Sequence, residues 1–427
     1  MFKTTILLTI NQQQKLKQQL LSFARQFEYF MLLDSNLDLT DSYSEYQWIF
    51  ACGAHRFIQA SEEKNNFELL DKFYNEHKTD LFGFLGYELK NEIENLNSNN
   101  PDNIEFPNMF FFEPEISIWA STSSVEVKSH YPFNIEILPE PAPEKHETIT
   151  GQAQHRINHE TYTEKVGKLL KNIQLGNIYE ANFCMEFYAE KINVNPYEIY
   201  AKLSTQSNAP FGVFFKLKDK FLLSASPERY LKKNGAKLIA QPMKGTARRS
   251  QWALEDMQLK LDLENNLKER SENIMICDLV RNDLSKIAAS GSVTVEELCK
   301  VYTYPMVHQM ISTITCQVAP EITVAELLKS CFPPGSMTGA PKVRAMQLIE
   351  EHETTKRGLY SGCVGYITEI GNFDFNVVIR SLQYNQTNQY LSYMTGSAIT
   401  SLSAINDEYN ECLLKSQAFF NLLNPQQ

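Results

Sequence analysis

Gly212-Val213-Phe214-Phe215-Lys216-Leu217-Lys218-Asp219-Lys220-Phe221-Leu222-Leu223-Ser224-Ala225 decides the fold class of this chain. Two short runs rich in aromatic and aliphatic residues flank a three-residue polar turn, the pattern of a hairpin and hence of antiparallel pairing. Similar joins occur at Asn234-Gly235 and at Asn385-Gln386-Thr387-Asn388. Working outward, strands are expected over 46–50, 81–85, 109–112, 117–120, 212–217, 221–225, 237–241, 361–367, 373–382 and 389–395. Helices are expected over 159–174, 196–204, 255–281, 324–330 and 341–353. Hairpins mixed with helices give an α+β chain rather than a parallel doubly wound one, and how the sheets stack stays open.

The 427 residues exceed one ordinary compact core, so two domains or one large decorated sandwich are expected. A polar, Asn-rich stretch runs over 95–107, and Pro139-Glu140-Pro141-Ala142-Pro143-Glu144 forms a second break. The second break is the expected boundary, with an N-terminal region over 1–140 and a second domain over 155–424. A net charge of -11 argues against nonspecific nucleic-acid binding, so an anionic substrate would need local positive charge. Eight scattered cysteines without a C-x-x-C pair support neither a zinc site nor a dithiol, and buried reduced thiols are expected. The first ten residues read as a strand without a cleavage site, and no apolar run approaches the ~20 residues of a membrane span, so the expectation is a cytoplasmic protein with no membrane association.

Chemistry is suggested first by Gln241-Pro242-Met243-Lys244-Gly245-Thr246-Ala247, where proline and glycine would set a turn that aims the Lys244 amine. Glu228 follows the strand over 221–225. If the strand over 237–241 folds back on that one, Glu228 and Lys244 lie near opposite ends of a small ribbon, both bordering one cleft; a surface pair with Arg229 is the plainer reading. Glu269 and Glu272, and likewise Glu408 and Glu411, are spaced three apart on expected helices, so each pair shares a face. Two such helices across a cleft would offer the hard oxygen ligands that Mg²⁺ prefers, although Glu411 and Lys415 also read as an ordinary surface pair. Pro334-Gly335-Ser336-Met337-Thr338-Gly339-Ala340-Pro341-Lys342 lacks the spacing of a nucleotide-binding loop, and its helix start offers amides to an anion. Tyr360 and Arg380 supply a phenol and a guanidinium. An arginine in an apolar run needs a carboxylate partner, from the protein or from a substrate. Gly396-Ser397-Ala398-Ile399 would bring backbone close to the same anion.

Together, over about 155–420, Ser224 to Arg229, Pro242 to Thr246, Glu272 to Asp283, Pro334 to Lys342, Arg357 to Gly362, Arg380 and Glu408 to Lys415 resemble the chorismate-utilising enzymes: anthranilate, aminodeoxychorismate, isochorismate and salicylate synthases. The resemblance implies a large antiparallel β-sandwich core flanked by helices and a chorismate-binding catalytic domain over 155–424. Residues 1–140 look like the family's variable N-terminal part, with Leu32-Leu33-Asp34-Ser35 similar to a segment lining a tryptophan pocket in some members. Lys244, where anthranilate and salicylate synthases typically carry alanine, resembles the aminodeoxychorismate branch. It implies amination of chorismate through a covalent bond to Lys244, with Glu228 as general acid, in 4-aminobenzoate and folate biosynthesis. Carried over, Glu272 and Glu411 would bind Mg²⁺ with Glu269 and Glu408 behind them. Tyr360, Arg380, Lys415, Thr246 and the backbone at Gly396 would hold the substrate. Ala398 and Met243 depart from the family's usual glycine and isoleucine.

A nucleophilic lysine must be neutral at the moment of attack, which asks for desolvation or a neighbouring cation. An acid must keep its proton, which asks for burial or nearby negative charge. No glutaminase motif stands in the sequence, so the implied partner is a separate glutamine amidotransferase supplying ammonia. The alternatives are an anthranilate synthase component I and a chorismate-binding regulatory paralogue without turnover.

Overall fold

The computed structural model describes residues 2–36, 41–61, 65–141 and 151–423. The expected boundary falls partly on 142–150, outside the described residues. The opening hairpin forms as read: Phe211–Leu217 and Lys220–Ser226 pair antiparallel, with Phe221 opposite Lys216 and Leu223 opposite Phe214. Tyr29–Asp34 adds to Phe211–Leu217, Trp48–Gln59 adds to Tyr29–Asp34, and Ser381–Asn385 and Tyr390–Thr400 follow on the other side, with Glu180–Ala189 beyond them. A second layer runs from Leu81–Leu85 through Cys363–Ile367, Phe373–Val377, Arg229–Asn234 and Lys237–Gln241 to Val307–Gln317. Met109–Ala120 bridges the layers, pairing with both Trp48–Gln59 and Leu81–Leu85, so strands from before and after residue 140 share one hydrogen-bonded network.

Strand alternation sorts most of the apolar side chains into three large cores, and a small fourth gathers Leu263, Cys299, Val301 and Met310. Val213 and Phe215, with Phe82, Phe84, Phe110 and Phe112, fill the space between the layers. Phe214 and Leu223 point outward under the helices His159–Gln174, Pro196–Ser207 and Ile405–Leu423. Leu81, Leu85, Leu231 and Phe375 point outward on the other layer, under Leu267–Ser285 and Val324–Cys331. The architecture is therefore an α+β sandwich with helices on both outer faces. All eight cysteines are free and buried. Among the described residues no helix is long and apolar enough to cross a membrane.

Several local expectations change. The segment expected as one helix over 255–281 is two, Ala253–Asn265 and Leu267–Ser285, because the Asn266 side chain caps the second by accepting from the Glu269 amide at 3.1 Å. The strand over 373–382 breaks after Val377, where the amide of Val378 turns to Gly362 and Arg380 takes φ 50°. The segments over 109–112 and 117–120 are one continuous strand. Gly396 to Ile399 lie inside the strand Tyr390–Thr400 rather than beyond it.

Candidate active site

The strand Lys237–Gln241 does not fold back on Phe221–Ala225. It pairs with Arg229–Asn234, a strand hidden in the sequence by three cations, and Arg229 stands opposite Gln241. Glu228 immediately precedes the first strand and Lys244 shortly follows the second. The two therefore emerge at the same open end of the ribbon instead of at opposite ends.

Arg229 anchors that end. It is 2 % exposed, and its guanidinium donates to Asp374 at 2.9 and 3.0 Å, to Asp41 at 2.6 and 3.2 Å and to Gln241, so it is no surface pair for Glu228. The Glu228 carbonyl accepts from the Val377 amide at 3.0 Å, which ties its backbone to the next strand. The Glu228 side chain is buried, and burial pushes its carboxyl up to about 7, although the Ser336 hydroxyl and the Lys244 charge favour the carboxylate.

Lys244 sits on an edge strand, Met243–Arg248, rather than in a closed turn. Its register against Val307–Gln317 shifts between Met243 and Thr246, leaving Lys244 and Gly245 in a bulge. Gly245 has φ 87°, and a Cβ there would stand 3.1 Å from both Cβ and Oε2 of Glu269, so glycine lets the bulge lie against the helix. Only 13 % of the Lys244 side chain is exposed, and its Nζ lies 3.0 Å from Glu180 Oε1. Burial disfavours the ammonium, but Glu180, Glu272 and Glu228 together hold it above the ordinary lysine value. Desolvation is present as expected; its flanking charges are carboxylates, so the resting amine is protonated.

Glu180 was not singled out from the sequence. It is fully buried at the start of Glu180–Ala189, and a lone carboxylate opening an apolar strand was the available signal. The loop 334–342 fixes it. Tyr179 donates its amide to Ala340 at 2.7 Å, Asn182 donates to Thr338 at 2.8 Å, and a Cβ on Gly339 would stand 2.1 Å from the Glu180 carbonyl. The loop's lysine, Lys342, donates to Asp283 and to the Cys331 carbonyl. This loop clamps a strand through the carbonyls of Thr338 and Ala340, while its Ser336 hydroxyl stands by the Glu228 carboxyl.

A cavity of about 520 Å³ brings together every residue named from the sequence for the site: Glu228, Lys244, Thr246, Glu269, Glu272, Tyr360, Arg380, Gly396, Glu408, Glu411 and Lys415. One wall is acidic. Burial, aided by Glu180 and Glu269, pushes Glu272 up to about 7, and its Oε1 is buried without a hydrogen-bond partner among the described residues. Burial also raises Glu269. Burial opposes the Glu411 charge, but Lys415 at 2.6 Å brings that carboxyl below the usual range. Lys268, also absent from the sequence reading, stands 3.6 Å from Glu408 and 3.9 Å from Glu272. Among the described residues no three acidic, histidine or cysteine side chains are close enough to cage a cation unaided. The facing helices nevertheless bring four carboxylates to one cavity, one with a buried oxygen that accepts no hydrogen bond among the described residues, which suits a hard divalent ion completed by water and substrate oxygens.

Basic and polar groups line the rest of the cavity. The Arg380 carbonyl accepts from the Ala225 amide at 3.1 Å, whereas its guanidinium makes no hydrogen bond or ion pair among the described residues and is available to the cavity. Lys415 also donates to the Gly396 carbonyl at 2.8 Å. A Cβ at Gly396 would meet Cys184 Sγ at 2.7 Å. Tyr360 is buried next to Arg357, whose guanidinium is spent on Glu353 and on the carbonyls of Met337 and Asn182. Thr246 lies at the exposed rim with its hydroxyl donating to Gln309.

Comparison with known proteins identifies the family. A family model described as chorismate binding enzyme matches residues 19–421. Aminodeoxychorismate synthase component 1 of Escherichia coli (strain K12) is 32% identical over 335 residues, spanning 77% of this chain and 73% of that protein. Aminodeoxychorismate synthase of Streptomyces griseus is 36% identical over 288 residues, 67% of this chain but 39% of the longer relative. Anthranilate synthase component 1 of Lactococcus lactis subsp. lactis (strain IL1403) is 30% identical over 359 residues, 80% of this chain and 78% of the relative. The crystal structure of anthranilate synthase component I from Streptococcus pneumoniae TIGR4 superposes with a TM-score of 0.78 at 25% identity, covering 89% of this chain and 93% of that one. The chain belongs to the chorismate-binding enzyme family and is a chorismate-utilising enzyme.

Proposed function

We propose that this enzyme aminates chorismate to 4-amino-4-deoxychorismate through a covalent bond to Lys244, as an aminodeoxychorismate synthase component I serving 4-aminobenzoate and folate synthesis. The observation that carries the reading is a primary amine and a protonatable carboxyl, Lys244 and Glu228, emerging together into one cavity. In this reading the Lys244 amine attacks C2 of chorismate as the C4 hydroxyl leaves, taking the Glu228 proton to depart as water. Ammonia then adds at C4 and expels the lysine from C2. A carboxyl held near 7 keeps its proton in a large fraction of molecules at neutral pH, as an acid must.

Arg380 and Lys415 would bind the substrate carboxylates, Arg380 through its uncommitted fork, with Tyr360, Thr246 and the Gly396 backbone completing the contact. Glu272 and Glu411 would hold Mg²⁺, with Glu269 and Glu408 behind them through water. Bound there, the ion would supply positive charge for the ring carboxylate of chorismate.

A separate glutamine amidotransferase is the proposed source of ammonia. The relatives' names support it: "component 1" goes with a protein of which this chain spans 73%, whereas the unnumbered synthase is a longer chain of which it spans 39%.

The test is product analysis, by mass and fluorescence, of the purified chain with chorismate, Mg²⁺ and ammonium at mildly alkaline pH, beside Lys244→Ala. Aminodeoxychorismate from the wild type, lost in the variant, supports the proposal. Anthranilate would overturn it in favour of the anthranilate branch, and no turnover even with a glutaminase partner would favour a binding paralogue.

A further inference from the structure

A lysine that must attack as a free amine rests here as an ammonium, so its proton needs a destination. Carboxylates face it from four elements: Glu180 from the strand Glu180–Ala189, Glu228 from the open end of the ribbon, Glu269 and Glu272 from the helix Leu267–Ser285, and Glu411 from the helix Ile405–Leu423. Among the described residues, Glu180 makes the one ion pair to Lys244, at 3.0 Å. Glu180 is 0% exposed, and Oε2 has no hydrogen-bond partner among the described residues. It is also absent from the cavity lining, so it lies behind the amine, away from where substrate binds.

Among the described residues no backbone amide or hydroxyl stabilises this carboxylate, and the Lys244 ammonium is the charge that does. When the amine becomes neutral, the carboxylate would be left as an uncompensated buried charge unless it received the departing proton. Its position is also enforced. The loop 334–342 packs on its backbone so closely that Gly339 leaves no space for a side chain.

We propose that Glu180 is the proton acceptor for Lys244, converting the buried ammonium–carboxylate pair into a neutral amine and a carboxylic acid once chorismate is bound. This rests on the lysine reading above and deepens it. The proton balance closes within the pair. Lys244 passes one proton to Glu180, and the free amine forms the C2–N bond while the C4–O bond breaks and Glu228 protonates the leaving hydroxyl to water. The adduct is a secondary ammonium. When ammonia adds at C4 the lysine leaves as a neutral amine and recovers its proton from Glu180, while solvent reprotonates Glu228.

The experiment is rapid-quench intact-mass analysis of the wild type, Glu180→Gln and Glu180→Asp with chorismate and Mg²⁺ and without ammonium, from pH 6 to 7. It follows a species heavier by chorismate less one water. Internal transfer predicts a nearly pH-independent rate for the wild type. Glu180→Gln should be about 10²-fold slower at pH 6, with a rate that climbs about tenfold per pH unit because the proton must now go to solvent. Glu180→Asp should keep the flat profile at a reduced rate. A slower Glu180→Gln with an unchanged slope would mean a positioning role alone and would overturn the proposal, as would a wild-type rate in that variant. If Glu180→Gln fails to fold, the wild-type slope decides: flat supports the transfer, tenfold per unit overturns it. Absence of any adduct in the wild type would remove the lysine reading itself, a failure distinct from an adduct formed indifferently to Glu180.

Discussion

The two sides of the cavity are prepared to different degrees. The amine side is assembled before any ligand arrives. Arg229 opposite Gln241 sets the register of the ribbon, the bulge at Gly245 tips Lys244, and a buried carboxylate already holds its ammonium. The acidic side is not assembled. Its carboxylates ride on two separate helices, no three of them converge among the described residues, and Lys268 stands near two of them. Strand register places groups within fractions of an ångström, whereas helices across a cleft leave a gap for what binds between them. The contrast suggests that covalent chemistry is preorganised while the cation site is completed by its ligands.

The largest effect expected is on the prepared side. Lys244→Ala should lower amination by about 10⁴-fold or more, because among the described residues Lys244 is the amine that emerges beside Glu228. The readout is aminodeoxychorismate formation together with loss of the mass adduct. Near-normal turnover would remove the asymmetry between the two sides.

Next comes the anchor. Arg229→Met should destabilise the fold by about 3–5 kcal/mol, since Asp41 and Asp374 would be left without their shared cation in a largely buried site. Urea unfolding measures this directly, and a cost near zero would mean that register is set elsewhere.

Legibility in the sequence follows the same division. Strands with clean alternation or apolar runs, such as Lys237–Gln241 and Leu81–Leu85, and the helix His159–Gln174 were readable to the residue, because their burial pattern is local. Arg229–Asn234 was not, as Arg229, Lys232 and Lys233 look solvated in a one-dimensional pattern. In the fold Arg229 and Lys232 are buried against Asp41, Asp374 and Glu45, residues distant in sequence. That single miss put Glu228 and Lys244 at the wrong ends of a ribbon. The site residues came from motif order, while Glu180 and Lys268 were overlooked, since each is defined by a partner that only the fold brings near. The loop 334–342 shows the complementary difficulty: glycine for close packing on a strand and a serine that reaches the cavity look alike in sequence.

A pH effect on stability sharpens the comparison from the acid. The Glu228 carboxyl is raised to about 7 in the folded chain from about 4.3 when unfolded, so the native state binds the extra proton. Its stabilising contribution is complete below the unfolded value and is lost as pH rises through about 7. The span is about 3 kcal/mol, on the order of 1.4 kcal/mol per unit. Relative to Glu228→Gln, the wild type should lose that much stability between pH 4.5 and 7.5 in denaturant titrations. A pH-independent difference would show an acid that is not held protonated by the fold.

The smallest effect belongs to the open side. Glu408 is buried, and the nearest cation to it is Lys268 at 3.6 Å. If Glu408 stands behind Mg²⁺ through water, Glu408→Gln keeps its shape and hydrogen-bonding reach but removes a charge from the outer ring. Outer ligands of this kind contribute about 10–100-fold in metal affinity. The expected result in Mg²⁺ titrations with chorismate present is therefore a weakening within that range. Lys268→Met should act in the opposite sense, because it deletes a positive charge that competes for the same carboxylates. Both changes should leave the Lys244 adduct chemistry accessible at saturating Mg²⁺, since neither side chain touches the ribbon. Should Glu408→Gln leave Mg²⁺ affinity untouched while Lys268→Met destabilises the chain, the acidic wall would be a structural ion-pair network, and both halves of the cavity would be equally complete without a metal.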